Sequence, residues 1–307
     1  MHTTPKHKFR TIPFVFVLIG LVILTAACQP SAQTQTEQPD ALVVTVSILP
    51  QAYFVERIGG DAVAINTMVG KGEDAHTYEP KPDQMRALND SEVFFSIGVE
   101  YEASWIPRFR DNNPDMLVVN SATGIEKIVA SAHQDDSHDE DDHSGEADPH
   151  VWLAPENGKI IAENIFNTLV ELAPEHADDF QANFDALIAD IDALDTEIQS
   201  SLSELDSRVF MVFHPAWGYF AAQYNLEEIA VQIGGQDPSP RELAELVDLA
   251  RKENIRVIFV QPTFSTADAE AIADEIDAQI AFVDPLARNW LENLNTAAQA
   301  FAAALKQ

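Results

Sequence analysis

Four side chains that can hold a metal ion lie at or after predicted β-strands, two in each half of the chain. They are His76, His150, His214 and Asp284. Ligands of α/β proteins bind beyond the carboxyl ends of the strands, so we expect these side chains to converge on a cleft between the two halves. Three neutral imidazoles and one carboxylate make a reasonable four-coordinate Zn²⁺ site, whereas a Mn²⁺ site would favour more oxygen ligands.

Taken singly, each of these histidines is more often an exposed or hydrogen-bonded loop residue than a metal ligand. A proline next to His150, His214 and Asp284 restricts the local backbone, which helps to hold a ligand in place. Metal binding through imidazoles should release protons and weaken as the pH falls toward about 6.5.

Short β-branched runs that alternate with amphipathic segments predict an α/β architecture. Four such runs fall in each half, at 42–46, 64–69, 93–97, 116–119, 208–213, 229–231, 255–260 and 280–283. We therefore predict two similar lobes, an N-terminal lobe over residues 41–173 and a C-terminal lobe over residues 207–307.

The segment between the lobes, residues 174–206, has a different pattern. It has no Gly and no Pro after Pro174, and its apolar side chains recur every three or four residues, which predicts one long helix. At 1.5 Å per residue, about 30 residues extend about 45 Å. A helix of that length can run along both lobes and limit hinge motion between them.

The N-terminus has the features of a bacterial lipoprotein leader. Three basic residues precede an uncharged run over 11–27, and its most apolar part, residues 14–24, is too short to span a bilayer comfortably. The run ends in Leu-Thr-Ala-Ala before Cys28 and resembles a lipobox, with Thr25 where Leu is usual. We predict a cleaved signal peptide over 1–27, lipid on Cys28 and a flexible tether over 28–40. The alternative is an uncleaved anchor, and both place the body outside the cytoplasmic membrane.

Composition narrows the classes of partner. The 307 residues include 50 acidic and 18 basic side chains, for a formal charge of -32, and such a protein repels nucleic acid and anionic lipid surfaces. The single cysteine excludes an intramolecular disulfide.

Residues 131–148 hold eight carboxylates and three histidines with no basic residue. This composition predicts an acidic loop in which His133, His138 and His143 either collect metal ions weakly or are simply solvated.

Five motifs in order along the chain decide between these interpretations. They are HTYEP (76–80), DPHVWLAP (148–155), FHPAWGYFA (213–221), DPSPRELAEL (237–246) and VDPLARNW (283–290). Together they resemble the metal-binding lipoproteins of bacterial ABC importers, the ZnuA/TroA-like family, over nearly the whole chain after the leader. The resemblance implies two lobes of parallel sheet and helices joined by one long rigid helix, with the metal site in the cleft between the lobes.

The resemblance also implies the ligands. Zinc-specific members carry a histidine in each of the first three motifs, here His76, His150 and His214, and manganese-specific members usually carry a carboxylate in the third. The family's fourth ligand position, or a water in its place, falls on Asp284. The acidic loop sits where zinc-type members often carry a His-rich insertion.

The expected function is therefore a monomeric, membrane-tethered Zn²⁺-binding protein that hands the ion to an ABC permease and its ATPase and catalyses no reaction. Mn²⁺ or a broader divalent specificity is the first alternative. A zinc-dependent hydrolase is the second, although the chain has no HExxH motif. The third is a zinc buffer or adhesin without a transporter.

Overall fold

The computed structural model describes residues 41–129, 147–232, 236–263 and 267–306. The leader, Cys28, the tether and the three histidines of the acidic loop lie outside these residues, so the expectations about them stay predictions. None of the helices in these residues combines the length and the hydrophobicity that a membrane-spanning segment requires.

All eight predicted strands are present. The strands are β1 (Leu42–Ile48), β2 (Val63–Val69), β3 (Val93–Ser96), β4 (Leu117–Asn120), β5 (Val209–Val212), β6 (Glu227–Ala230), β7 (Val257–Val260) and β8 (Gln279–Phe282). The helices are α1 (Leu49–Gly59), α2 (Pro82–Leu88), α3 (Glu100–Asn112), α4 (Pro155–Leu172), α5 (Ala177–Ser201), α6 (Gly218–Tyr224), α7 (Pro240–Lys252), α8 (Ala267–Ile276) and α9 (Trp290–Leu305).

The strands form two four-stranded sheets with the same topology. The first sheet has the order β2-β1-β3-β4 and the second β6-β5-β7-β8, and every neighbouring pair is parallel. Val44 is aligned with Val93 in the first sheet, and Met211 with Ile258 in the second. In a parallel sheet all carboxyl ends lie at one edge, so each sheet presents a single edge for ligands. The prediction of two parallel-sheet lobes is confirmed.

The long helix α5 has 25 residues and is preceded by a 3₁₀ turn over Pro174–His176. Its buried side chains follow the predicted helical spacing and are Phe180, Leu187, Ile191, Leu194 and Ile198. It packs against α1 and α4 of the first half and against α9 of the second. The helix is shorter than the predicted range of residues 174–206 because the chain turns after Ser201. Beyond this turn, the N–H groups of Asp206 and Ser207 donate to the carbonyl of Leu305, at the C-terminus of α9.

One apolar core continues from the first sheet into the C-terminal half. Val44 and Phe54 belong to the same buried cluster as Trp290 and Phe301 of α9. Phe301 contacts four other buried aromatic rings, those of Phe210, Trp217, Phe220 and Phe259, at centroid distances of 4.7–5.4 Å. Such aromatic pairs add about 0.5–1.5 kcal/mol each beyond the area that they bury. The core therefore joins the two sheets into one body.

Candidate metal site

Three histidines meet in the cleft between the two sheets. One ring nitrogen from each of His76, His150 and His214 lies within 4.8 Å of the other two. The Nε2 atoms of His76 and His214 are 3.0 Å apart, and the ring centroids of the three imidazoles are 4.8–5.5 Å apart. Nitrogen donors in this arrangement can coordinate a single Zn²⁺.

His76 lies on the loop that follows β2. The Asp74 side chain shapes this loop, because its Oδ1 accepts the backbone N–H of His76 at 2.9 Å and its Oδ2 accepts the Thr77 hydroxyl at 3.1 Å. The imidazole Nδ1 lies 2.8 Å from Glu100 Oε2, at the first residue of α3. Burial disfavours a charged imidazole, but the hydrogen bond and the charge of Glu100 outweigh it and raise the pKa of His76.

His150 is held by its own segment. The Asp148 carboxylate oxygen Oδ1 accepts the backbone N–H of His150 at 2.9 Å and lies 2.8 Å from the ring Nδ1. Both side chains are almost completely buried. A single carboxylate oxygen thus fixes both the backbone and the ring orientation of this histidine.

His214 follows β5 and is buried. Its Nδ1 lies 3.0 Å from the amide oxygen of Gln232, which follows β6, and the Gln232 amide nitrogen donates to Asp237 at 3.0 Å. Burial, together with the nearby charges of His150 and His76, lowers the pKa of His214 to about 3. The ring is therefore neutral at physiological pH, which is the form that binds a metal.

The three outer partners, Glu100, Asp148 and Gln232, share one role. Each places an oxygen at Nδ1, so that Nδ1 carries the hydrogen and Nε2 is left as the metal-facing nitrogen. None of the three was predicted from the sequence. The rule that located the ligands could have found two of them, because Glu100 follows the carboxyl end of β3 and Gln232 that of β6. Glu79 lies three residues after His76 in sequence, but its side chain is exposed and it is not one of these three partners.

Asp284 does not join the three histidines in the described residues, where the group of ligand atoms consists of imidazoles alone. Its Oδ1 accepts the backbone N–H of Leu286 at 2.9 Å, and its carbonyl accepts the Asn293 side chain at 2.7 Å. The neighbouring Pro285 and Leu286 line the cleft together with His76 and His150. The assignment of Asp284 as fourth ligand stays a prediction.

Three tryptophans that follow the candidate ligands in sequence are buried, and one of them, Trp152, lines the cleft. Trp152, Trp217 and Trp290 are 1–2% exposed. The indole N–H of Trp152 donates to the carbonyl of Pro285 at 2.7 Å, so the residue two positions after His150 is bonded to the residue directly after Asp284. The positions of these two segments are therefore coupled.

The fold and this site define a class: two-lobed α/β proteins that bind a transition-metal ion between parallel sheets through histidine nitrogens. Residues 44–304 match the family model described as zinc-uptake complex component A, periplasmic (ZnuA). The chain belongs to this family.

Relatives cover the same region. The high-affinity zinc uptake system protein ZnuA of Bacillus subtilis is 27% identical over 286 residues, which cover 91% of this chain and 89% of the relative. The zinc-binding lipoprotein AdcA of Streptococcus pneumoniae is 27% identical over 272 residues, which cover 87% of this chain but only 54% of AdcA. The chain therefore spans about half the length of AdcA.

Solved structures give the same family. A crystal structure of ZnuA superposes with a TM-score of 0.80 at 40% identity and covers 87% of this chain and 100% of its own. A structure described as a ZnuA mutant with residues 138–173 of its own sequence deleted, plus zinc bound, has the same TM-score and identity and covers 99% of its chain.

Proposed function

We propose that this chain is the extracytoplasmic, high-affinity Zn²⁺-binding component of an ABC-type importer, which delivers the ion to a membrane permease driven by an ATPase. One observation carries the proposal: three imidazoles converge in the cleft, with one ring nitrogen of each within 4.8 Å of the other two, and an oxygen acceptor lies at each Nδ1, which leaves Nε2 free for a metal. Membership of the zinc-uptake family and the names of the relatives support it.

The donor set favours zinc over manganese. The described ligand group contains nitrogen atoms alone, and Mn²⁺ prefers carboxylate, carbonyl and water oxygens. A fourth position is left for Asp284 or a water molecule. A three-nitrogen set with an open position also occurs in zinc hydrolases, but the two carboxylates in contact with the rings, Glu100 and Asp148, already bind imidazole nitrogens. Neither is placed to activate a water molecule.

Competition calorimetry with Zn²⁺ and Mn²⁺ on the chain from Cys28 onward tests the proposal. We expect one tight Zn²⁺ site per chain and much weaker Mn²⁺ binding. Equal affinities would favour the broader divalent function. Ester or peptide turnover that depends on His76, His150 and His214 would instead establish the hydrolase.

The cellular arrangement is part of the same proposal. Cys28 carries the lipid that tethers the protein to the membrane, residues 28–40 form the tether, and the protein acts as a monomer. A Cys28→Ala variant should appear in the soluble fraction of cells, and size-exclusion chromatography with light scattering should give the mass of one chain. Retention of the variant in the membrane fraction would contradict the lipid anchor.

A further inference from the structure

The three Nδ1 acceptors differ in charge. Glu100 and Asp148 are carboxylates, whereas Gln232 is a neutral amide. We propose that Glu100 and Asp148 supply, from behind His76 and His150, two negative charges that stabilise a bound Zn²⁺, and that Glu100 acts as a positioning residue for His76 on which the affinity depends. This inference rests on the proposed function, because it assigns the electrostatics of the same site.

The need for this charge follows from the ligands. Three neutral imidazoles leave the full +2 charge on the ion, and His150 and His214 are buried. A charge that is removed from water is stable only when opposite charges or hydrogen bonds compensate it. The carboxylates of Glu100 and Asp148 lie one imidazole ring behind the metal-facing nitrogens. Each polarises its imidazole, strengthens it as a donor and adds one negative charge.

Gln232 completes this arrangement. Its amide oxygen orients His214 as the two carboxylates orient the other rings, but it adds no charge. The Gln232 amide nitrogen is bonded to Asp237, which fixes which end of the amide faces the ring. Among the three acceptors the charges are therefore -1, -1 and 0, which sum to -2. The carboxylate of Asp74 also lines the cleft, but it accepts the backbone N–H of His76 and the Thr77 hydroxyl and bonds no imidazole nitrogen.

Glu100 is the better of the two carboxylates to test. The Asp148 side chain is 4% exposed and also holds the backbone of His150, so its replacement disturbs the local fold. The Glu100 side chain is 43% exposed and lies at the start of α3, where the helix dipole stabilises its negative charge. Its replacement leaves no cavity, so the variant should fold.

Two substitutions separate charge from orientation. Glu100→Gln keeps an oxygen acceptor for His76 Nδ1 and removes the charge, and Glu100→Ala removes both. Glu79→Gln is the matched control, because it removes one charge from an exposed side chain three residues from His76. Chelator competition gives the Zn²⁺ dissociation constant, and long-range ¹H–¹⁵N NMR of the imidazoles reports which nitrogen of His76 carries the hydrogen.

We expect Glu100→Gln to weaken Zn²⁺ binding by about 10–100-fold, with the hydrogen still on Nδ1 of His76. Glu100→Ala should weaken binding at least as much and should also lose the fixed tautomer. Glu79→Gln should bind Zn²⁺ like the unmodified chain. Full affinity in Glu100→Gln overturns the charge role, and an equal loss in Glu79→Gln shows that only the general acidity of the protein matters. If the unmodified chain itself has no tight Zn²⁺ site, the proposed function fails, which is a separate outcome.

Discussion

The indole N–H of Trp290 donates a hydrogen bond to the backbone carbonyl of Trp152 at 2.6 Å, which ties α9 of the second half to the segment that carries His150. The Trp290 ring also packs on Phe54 of α1 at a centroid distance of 4.8 Å. Gly158 of α4 leaves the room for this ring. The metal ligands of the first half are therefore supported from beneath by a side chain of the second.

The close contact at Gly158 predicts a loss of stability on substitution. In Gly158→Ala the new Cβ would lie 2.5 Å from Cη2 and 2.7 Å from Cζ2 of Trp290, so the rigid indole must move. We expect the free energy of unfolding in urea to fall by about 1–3 kcal/mol, with weaker zinc binding. Gly70→Ala is the control, because its nearest neighbour is the end of the flexible Glu73 side chain. Equal stability of the two variants would mean that the tryptophan is not tightly constrained.

Loss of any one ligand imidazole should nearly abolish tight zinc binding. Because three nitrogens share the ion, His76→Ala, His150→Ala and His214→Ala should each weaken binding by more than the roughly 10–100-fold that loss of an outer partner costs. His176→Ala is the control, since His176 packs against Phe180 outside the site. Calorimetry on the four variants checks this, and unchanged affinity in His214→Ala would refute the site assignment.

The acidic loop should be dispensable for the tight site. The residues that flank it are joined, since Val129 and Ala147 form an antiparallel bridge and the N–H of Asp148 donates to the carbonyl of Ile128 at 2.9 Å. A two-residue turn in place of residues 130–146 should keep one tight Zn²⁺ site in a calorimetric titration. If the loop histidines collect zinc, additional weak equivalents disappear. A deletion that abolishes tight binding would contradict the expectation.

Tyr219 fixes the same two loop ends from the other half of the protein. Its hydroxyl donates to the carbonyl of Asp148 at 2.9 Å and accepts the N–H of Ile128 at 3.3 Å. Tyr219→Phe should lower the free energy of unfolding by about 1–2 kcal/mol and loosen zinc binding severalfold, because Asp148 orients His150. Tyr53→Phe, which loses a partly exposed bond to Arg57, should do neither. Chemical denaturation and chelator competition measure both effects.

Glu102 makes stability depend on pH. Burial raises the pKa of this carboxyl group to about 7, although the N–H groups of Ile97 and Gly98 donate to it and favour its charged form. An unfolded chain has the ordinary value of about 4.3. Between these values the folded protein holds a proton that the unfolded chain has lost, so this group's contribution to stability falls as the pH rises and stays low above about 7.

A Glu102→Gln variant isolates that contribution. The variant lacks the titrating group, so the difference in unfolding free energy between the unmodified protein and the variant should shrink by about 2–3 kcal/mol from pH 4.5 to pH 8. Urea titrations of the metal-free protein at several pH values measure it. A difference that does not change with pH would show that Glu102 keeps its ordinary pKa in the folded protein.

The sequence alone determined the secondary structure and the location of the site. The eight strands and the long helix are encoded in local patterns, the β-branched runs and the three-to-four spacing of residues such as Leu187 and Ile191, and such patterns need no knowledge of the rest of the chain. The three candidate histidines were predicted from strand ends, because parallel strands place the residues that follow them at one edge of a sheet, and from the five motifs that resemble the family.

Only the tertiary structure decided which atoms meet. His76 and His214 are 138 residues apart in sequence, yet their Nε2 atoms are 3.0 Å apart. The structure also showed that Glu100 and Gln232 contact the imidazoles and that Asp284 lies outside the imidazole group. The rule of strand ends places a residue at an edge several ångströms wide. Hydrogen bonding and coordination depend on a few tenths of an ångström, and that precision comes from the packing of the two halves on α5 and α9, to which residues throughout the chain contribute.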